Sequence, residues 1–374
     1  MKSSYKMLGQ YIRPIDVRNT DGQETNLLGV SVQKKFIPSI ANTVGTDFTK
    51  YKVVKKRQFT YIPDTSRRGD KIGIALLEDY DSGIVSNIYT VFEVTDTEQL
   101  LPEYLMLWFM RPEFDRLARF KSHGSVREVF DWEQMCSVEL PVPDIEKQRK
   151  IVNAYKTIND RIIMKQQIND NLEATAQAYF DKLFINDFEC TTNLDKIANI
   201  NPTRNLTKNQ IARCFDMSTL PLKGCIPVGG EYKPYNGGMR FINGDTILAR
   251  ITPCLENGKA AYINILDENE VAFGSTEYIV LSPKENVPSS FFYFLARNST
   301  FISYAVAHMN GSSGRQRVSG SDIANYPIKE PSKDELQMFD KYASKVLYAM
   351  KVSALEIEKL KELQENITAT ISSH

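Results

Sequence analysis

The sequence predicts an α+β protein built as a tandem repeat. Two similar globular domains are each followed by a long helix, and the two helices pair antiparallel as a coiled coil about a pseudo-two-fold axis. Three observations predict this. The chain has 374 residues, twice 187, and several segments recur on a shift close to that number. Two stretches, residues 144–185 and 332–374, contain neither glycine nor proline. Those stretches also share one apolar pattern in one register.

The repeat is read by sliding the chain on itself. Leu8 falls on Leu194 and Pro14 on Pro202, shifts of 186 and 188. Ser86-Asn87-Ile88-Tyr89-Thr90-Val91 falls on Ser275-Thr276-Glu277-Tyr278-Ile279-Val280, a shift of 189. Gly124-Ser125 falls on Gly311-Ser312, and Pro143 on Pro331. Each match is weak alone, but five in one order at nearly constant shift indicate a duplication. The predicted layout is a first globule at 1–143, a helix at 144–185, a second globule at 186–331 and a second helix at 332–374. Within the globules, Ile84–Val94 and Glu277–Leu281 read as β-rich, while Pro102–Phe120 and Pro288–Ala307 read as short helical stretches.

In the first long helix, positions a and d are Ile151, Tyr155, Ile158, Ile162, Lys165, Asn169, Leu172, Ala176, Tyr179 and Leu183. Adding 188 gives Phe339, Ala343, Val346, Met350, Ser353, Ile357, Leu360, Gln364, Ile367 and Ile371. Such 3–4 spacing over five heptads is a coiled-coil seam, since an ordinary core helix rarely runs so far unbroken. At 1.5 Å per residue the rod would be roughly 60 Å long. Lys165 and Ser353 occupy the same repeat position, where they would form a central polar layer or Lys165 would snorkel out. Ile163, Ile168, Leu347, Leu355 and Leu363 lie off the seam, as further core or as a partner surface.

Composition narrows the class. With 42% hydrophobic and 25% charged residues the chain is neither disordered nor fibrous. Basic and acidic residues balance at 46 each, so net charge argues for no partner and only local clustering can. Five cysteines without a C-x-x-C pair fit a reducing cytoplasm. No apolar run approaches ~18 residues, so no membrane association is expected.

Catalytic constellations are missing. There is no phosphate-binding G-x-x-x-x-G-K-[ST] loop. The nearest approach to an amino-methyltransferase loop, Asn201-Pro202-Thr203-Arg204, lacks the second proline and the stacking aromatic. Three histidines, His123, His308 and His374, are too scattered for a metal site or triad. Pro63-Asp64 and Asp70 lack the carboxylate-x-lysine of a nuclease site.

Local charge is more telling. Residues 50–71 carry eight basic side chains against two acidic ones, with Tyr51, Phe59 and Tyr61 interleaved. Lys55, Arg57, Arg67, Arg68 and Lys71 are the candidates for DNA contact there. Lys121, His123 and Arg127 flank Gly124-Ser125, while Arg250, His308, Arg315, Gln316 and Arg317 are the second-half candidates. Glycine lets backbone approach a phosphate, and arginine grips phosphate or reads guanine bidentately. A basic run alone is usually a solvated face. Recurrence on both copies of a duplicated domain favours DNA, and two linked globules imitate a dimer reading two half-sites. Because the copies have diverged, the expected target is bipartite and asymmetric.

Gly311-Ser312-Ser313-Gly314-Arg315-Gln316-Arg317-Val318, then Asp322-Ile323 and Tyr326-Pro327-Ile328 before a long helix, resembles the closing motif of target recognition domains in the DNA specificity (S) subunits of type I restriction-modification systems. Gly124-Ser125-Val126-Arg127, followed by Leu140-Pro141-Val142-Pro143-Asp144-Ile145-Glu146-Lys147-Gln148, repeats that logic. Ser86-Asn87-Ile88-Tyr89 resembles the family's Ser-Pro-x-Tyr turn with Asn for Pro, and Leu336-Gln337 departs from its Glu-Gln pair. The resemblance covers the whole chain in the order recognition domain, spacer helix, recognition domain, spacer helix. It implies no catalysis and no cofactor in this chain. It implies instead a scaffold joining double-stranded DNA to two methyltransferase subunits and to restriction/translocase subunits, with S-adenosylmethionine and ATP/Mg held by those partners. Two other readings stay open at this stage: a self-contained DNA methyltransferase or nuclease with unfamiliar motifs, and a coiled-coil adaptor without a nucleic-acid role.

Overall fold

The computed structural model describes residues 5–39, 45–64, 71–122, 128–186, 189, 191–312 and 314–371. The chain divides into two compact units, residues 1–161 with 360–374, and residues 162–359. The division falls inside both long helices, because each helix buries one end against one globule and continues into the other unit.

In the first unit a four-stranded antiparallel sheet runs Ile12–Ile15, Thr90–Val94, Phe59–Tyr61, Ile74–Leu76. Pro14 sits in the outermost strand, where a missing N–H costs no ladder bond. Helices α1 (Pro102–Phe109), α2 (Pro112–Lys121) and α3 (Trp132–Cys136) follow. The predicted stretch Pro102–Phe120 is thus two helices, broken where Arg111 turns extended ahead of Pro112. Phe59, Phe92, Phe109, Phe114 and Phe130 are fully or almost fully buried and pack ring to ring, with Phe59 stacked on Phe92 at 4.8 Å. Helix α4 (Ile145–Phe184) starts at Asp144, whose carboxylate accepts from the Lys147 amide. Buried Gln148 ties that start to the globule, accepting from the Leu101 amide and donating to the Gln99 and Pro143 carbonyls.

The second unit repeats the scheme. Ala198–Ile200, Tyr278–Pro283, Thr246–Ala249 and Ala260–Tyr262 form a sheet of the same order and sense. A second sheet, Glu231–Pro234, Ile211–Phe215, Ala272–Gly274 and Arg240–Phe241, contains one parallel pair. Helices α5 (Ser289–Arg297), α6 (Ser299–Ala307) and α7 (Gly320–Ala324) stand where α1 to α3 stand in the first unit. Here too the predicted single stretch is two helices, divided at Asn298, whose side chain caps α6 through the Phe301 amide. Helix α8 (Lys333–Thr370) opens with a capping box: Ser332 Oγ accepts from the Glu335 amide, and Glu335 accepts from the Ser332 amide. Leu336, at the repeat position of Gln148, is buried in the core instead of hydrogen bonding. That is the physical content of the motif's departure at Leu336-Gln337.

Strand pairing corrects one repeat match. Pro14 pairs with Phe92 and Ile200 pairs with Leu281, a counterpart 189 residues on from Phe92. Pro14 therefore corresponds to Ile200, and the coincidence with Pro202 is spurious. The turn match stands: Tyr89 donates to the Ser86 carbonyl and Tyr278 to that of Ser275.

The seam is confirmed within each unit, since none of its twenty a and d positions is exposed. Ile371 at the end of α8 joins the first core with Ile151 and Tyr155, whereas Phe180, Phe184, Phe339 and Met350 share the second. Lys165 Nζ pairs with Glu356 at 2.5 Å, which by register puts Asn169 at the level of Ser353. The expected Lys165–Ser353 layer is therefore corrected: buried Ser353 Oγ and Asn169 Oδ1 have no hydrogen-bond partner, and Lys165 reaches a carboxylate at the rim. Leu347 is core at 1% exposure, while Ile163, Ile168, Leu355 and Leu363 are exposed. Among the described residues no helix is long and apolar enough to cross a membrane.

Candidate nucleic-acid interface

In the second unit the loops around the sheet's Ala249 end converge. The strand Thr246–Ala249 leads into Arg250, whose amide donates to the Glu277 carbonyl at 2.9 Å, while the Val318 amide donates to the Arg250 carbonyl at 3.0 Å. Asn310 and Arg317 exchange backbone hydrogen bonds of 2.9 Å each, closing the loop that carries Gly311, Ser312, Gly314, Arg315 and Gln316. Gly311 lies at φ 128°, and a Cβ there would come 3.1 Å from the Arg315 carbonyl oxygen, so glycine is required. The structure thus brings Arg250, His308, Arg315, Gln316 and Arg317 to one loop cluster.

Their side chains differ in what they hold. Arg317 grips Glu277, Nε to both carboxylate oxygens at 2.9 Å and Nη2 to Oε1 at 2.7 Å, while Nη1 donates to the Arg315 carbonyl. The hydrogen bonds and charge of Arg317 hold the Glu277 carboxyl below the usual range. Arg250 Nε is buried without a partner. Arg315 is exposed, and Gln316 is half-buried. His308 caps α6 and stacks on Tyr304 at 4.0 Å, and its Nδ1 meets the Tyr304 carbonyl, so that nitrogen is the donor. Arg297, which opens a stretch 297–317 without an acidic residue, has its side chain only 9% exposed. It pairs with Glu173 at 3.2 Å and donates to the carbonyls of Leu222, Gly224 and Gly258, tying α5 to α4.

In the first unit the equivalent cluster is recognisable from pairing. The Phe130 amide donates to Pro63 as that of Val318 does to Arg250, and Asp64 bridges Val129 as Ile251 bridges Arg317. On the same shift of 188, Arg127 corresponds to Arg315. Arg67, Arg68, His123 and Arg127 lie outside the described residues. Lys71 is exposed beside Ile72, whose amide is held by Asp115. Lys121, closing α2, donates to Ser137 at 2.8 Å. Lys55 and Arg57 are at the far end of the strand Phe59–Tyr61 from Asp64, and Arg57 is paired with Glu103 of α1. They are not gathered with the loop cluster. A basic run has no directional signal, and only the strand between Arg57 and Asp64 separates its two ends.

Asn201-Pro202-Thr203-Arg204 is structural: Arg204 binds both oxygens of Asp245, 1% exposed in its side chain, and Ser282. Among the described residues no group of three or more His, Cys, Asp or Glu is placed to hold a metal. Glu277 is the residue that sequence reading missed. Its signal was present in the repeat, where Glu277 stands opposite Ile88 between the matched Ser and Tyr of the turn.

Two modules that share a four-stranded sheet of one order and three following helices, each joined to a long helix, define a duplicated two-module protein. A family model for the type I restriction modification DNA specificity domain matches residues 10–174 and 227–366, and the chain belongs to that family. It is 29% identical over 196 residues to the type I restriction enzyme EcoEI specificity subunit of Escherichia coli, covering 48% of this chain and 32% of the relative. It is 32% identical over 142 residues to the HindI specificity subunit of Haemophilus influenzae, covering 37% and 30%. The chain thus spans about a third of the length of these relatives. A crystal structure of the S subunit of a type I restriction-modification system from M. genitalium shares the fold, with a TM-score of 0.59 at 13% identity over 99% of this chain and 96% of that one.

Proposed function

We propose that this chain is the non-catalytic sequence-specificity subunit of a type I restriction-modification complex, reading a bipartite, asymmetric double-stranded DNA target. The observation that carries the reading is the repeated loop cluster. Both units present backbone of the same topology there, yet the second carries Arg250 and Arg317 where the first carries Pro63 and Val129. One scaffold with two different sets of side chains suits two different half-sites. Arg250, Arg315 and Gln316 would contact the second half-site. Lys71, Lys121 and, by sequence, Arg67, Arg68, His123 and Arg127 would contact the first. His308 supports its loop from the helix end.

The partners belong to the same proposal. Two methyltransferase subunits would dock on the long helices, where Ile163, Ile168, Leu355 and Leu363 are exposed, and restriction/translocase subunits would join them. S-adenosylmethionine, ATP and Mg would be bound by those partners in the cytoplasm. The purified chain tests this directly. Alone it should neither bind S-adenosylmethionine nor transfer methyl groups, and with a methyltransferase subunit it should confer methylation of one split sequence. Methyl transfer by the chain alone would restore the enzyme reading. DNA affinity insensitive to salt would point to an adaptor instead, because phosphate contacts make affinity fall steeply with salt.

A further inference from the structure

We propose that Glu277 is a positioning residue for recognition by the second unit. Its grip on Arg317 fixes the Asn310–Arg317 loop, so that Arg315 and Gln316 are presented to the DNA and Arg317 is not a reader. This rests on the specificity-subunit reading above.

Glu277 is itself held in place. Its amide donates to Ser275 Oγ at 3.1 Å, and its carbonyl accepts from Arg250. From that fixed point the carboxylate takes the Nε–Nη2 edge of the Arg317 guanidinium, and the remaining nitrogen, Nη1, reaches the Arg315 carbonyl. Gln316 is fixed at its backbone by the Thr252 amide, and Arg315 by its own amide on Ser312. A run of hydrogen bonds therefore leads from the Ser275 turn through Glu277 and Arg317 to the backbone of Arg315, next to Gln316. A guanidinium spent on a carboxylate in two parallel bonds is a poor candidate for a second bidentate contact with guanine.

The first unit supplies the contrast. There the counterpart of Glu277 is Ile88, 63% exposed, and the counterpart of Arg317 is Val129. No ion pair is possible between them. Loss of Glu277 should then touch one half-site and leave the other alone. The pair is also half-exposed, at 38% for Arg317 and 25% for Glu277, so it contributes little to global stability and its removal should leave the fold intact.

The test compares target discrimination of the full chain, assembled with a methyltransferase subunit, on randomised DNA. Glu277→Gln should relax base preference at one half-site by on the order of tenfold, leaving the other unchanged. Arg317→Ala should do the same without lowering the slope of log affinity against log salt, whereas a lost phosphate contact would lower it by about one. The double variant Glu277→Arg with Arg317→Glu should recover part of the preference, which a purely direct reader could not. Wild-type discrimination in Glu277→Gln, or a lowered salt slope in Arg317→Ala, would overturn the assignment. Should Glu277→Gln fail to fold, Glu277→Asp keeps the charge while shortening its reach and should show partial relaxation. A wild-type assembly with no base preference at all would instead sink the underlying specificity reading.

Discussion

At the residue scale, charge means different things in the same stretch of sequence. Arg297, Arg315 and Arg317 look alike along the chain, yet one is buried structure, one is exposed and one is committed to a carboxylate. Arg315→Ala should therefore lose readout at a single half-site, at about 1–3 kcal/mol for a bidentate contact, with thermal stability unchanged. A survey of methylated sites checks this, and equal loss at both half-sites would count against it. Arg297→Ala should behave in the opposite way. It removes the ion pair of Glu173, which keeps Tyr293 and the Gly224 amide as donors, and a donor from three carbonyls, so unfolding should become easier by about 3–5 kcal/mol in urea titration. DNA salt dependence of the surviving folded fraction should not change.

At the element scale the two long helices start by the same device at the same repeat position, an oxygen from Asp144 or from Ser332. In α8 the hydrogen bond from Lys329, with those of Ser332, pulls the Glu335 carboxyl from 4.5 down to about 2. A folded pKa below the unfolded one stabilises at pH above the unfolded value and ceases to as the pH falls through the folded one. The start of α8 should accordingly lose stability between about pH 4.5 and 2, and Glu335→Gln should flatten that part of the acid unfolding curve. The outer faces lead to a further expectation. Leu355→Glu with Leu363→Glu should leave the chain folded, since both are nearly half exposed, while weakening co-purification with the methyltransferase subunit. Unimpaired co-purification would move the docking site elsewhere. Leu347, buried in the core, is no part of that face.

For the whole molecule, the chain passes between its two units only through α4 and α8. On the proposed reading helix length sets the gap between half-sites. One heptad added to both helices preserves the a/d register and adds ~10 Å of helix. That length matches about three base pairs at ~3.4 Å per step, so methylation should shift to the same half-sites with a gap about three pairs longer. A heptad in only one helix should mismatch the seam and damage folding. If the symmetric variant folds, binds its partners and still methylates only the original spacing, helix length is not the ruler.

The amino-acid sequence by itself determined the duplication, the two long helices, their seam and the family, because each is written in local periodicity, in helix breakers or in short motifs at fixed shifts. Its reading stopped at three places where the deciding term is a contact between residues distant along the chain. Pro14 matched Pro202 as a letter, but strand pairing with Phe92 gives its place to Ile200. The apolar pattern left Leu347 and Leu355 equivalent, and packing against the second core buried one and left the other outside. The basic runs named candidate DNA contacts without distinguishing them. Only the tertiary structure showed Arg317 turned onto Glu277, forty positions earlier, because a guanidinium beside a carboxylate is held by geometry that sequence spacing does not record.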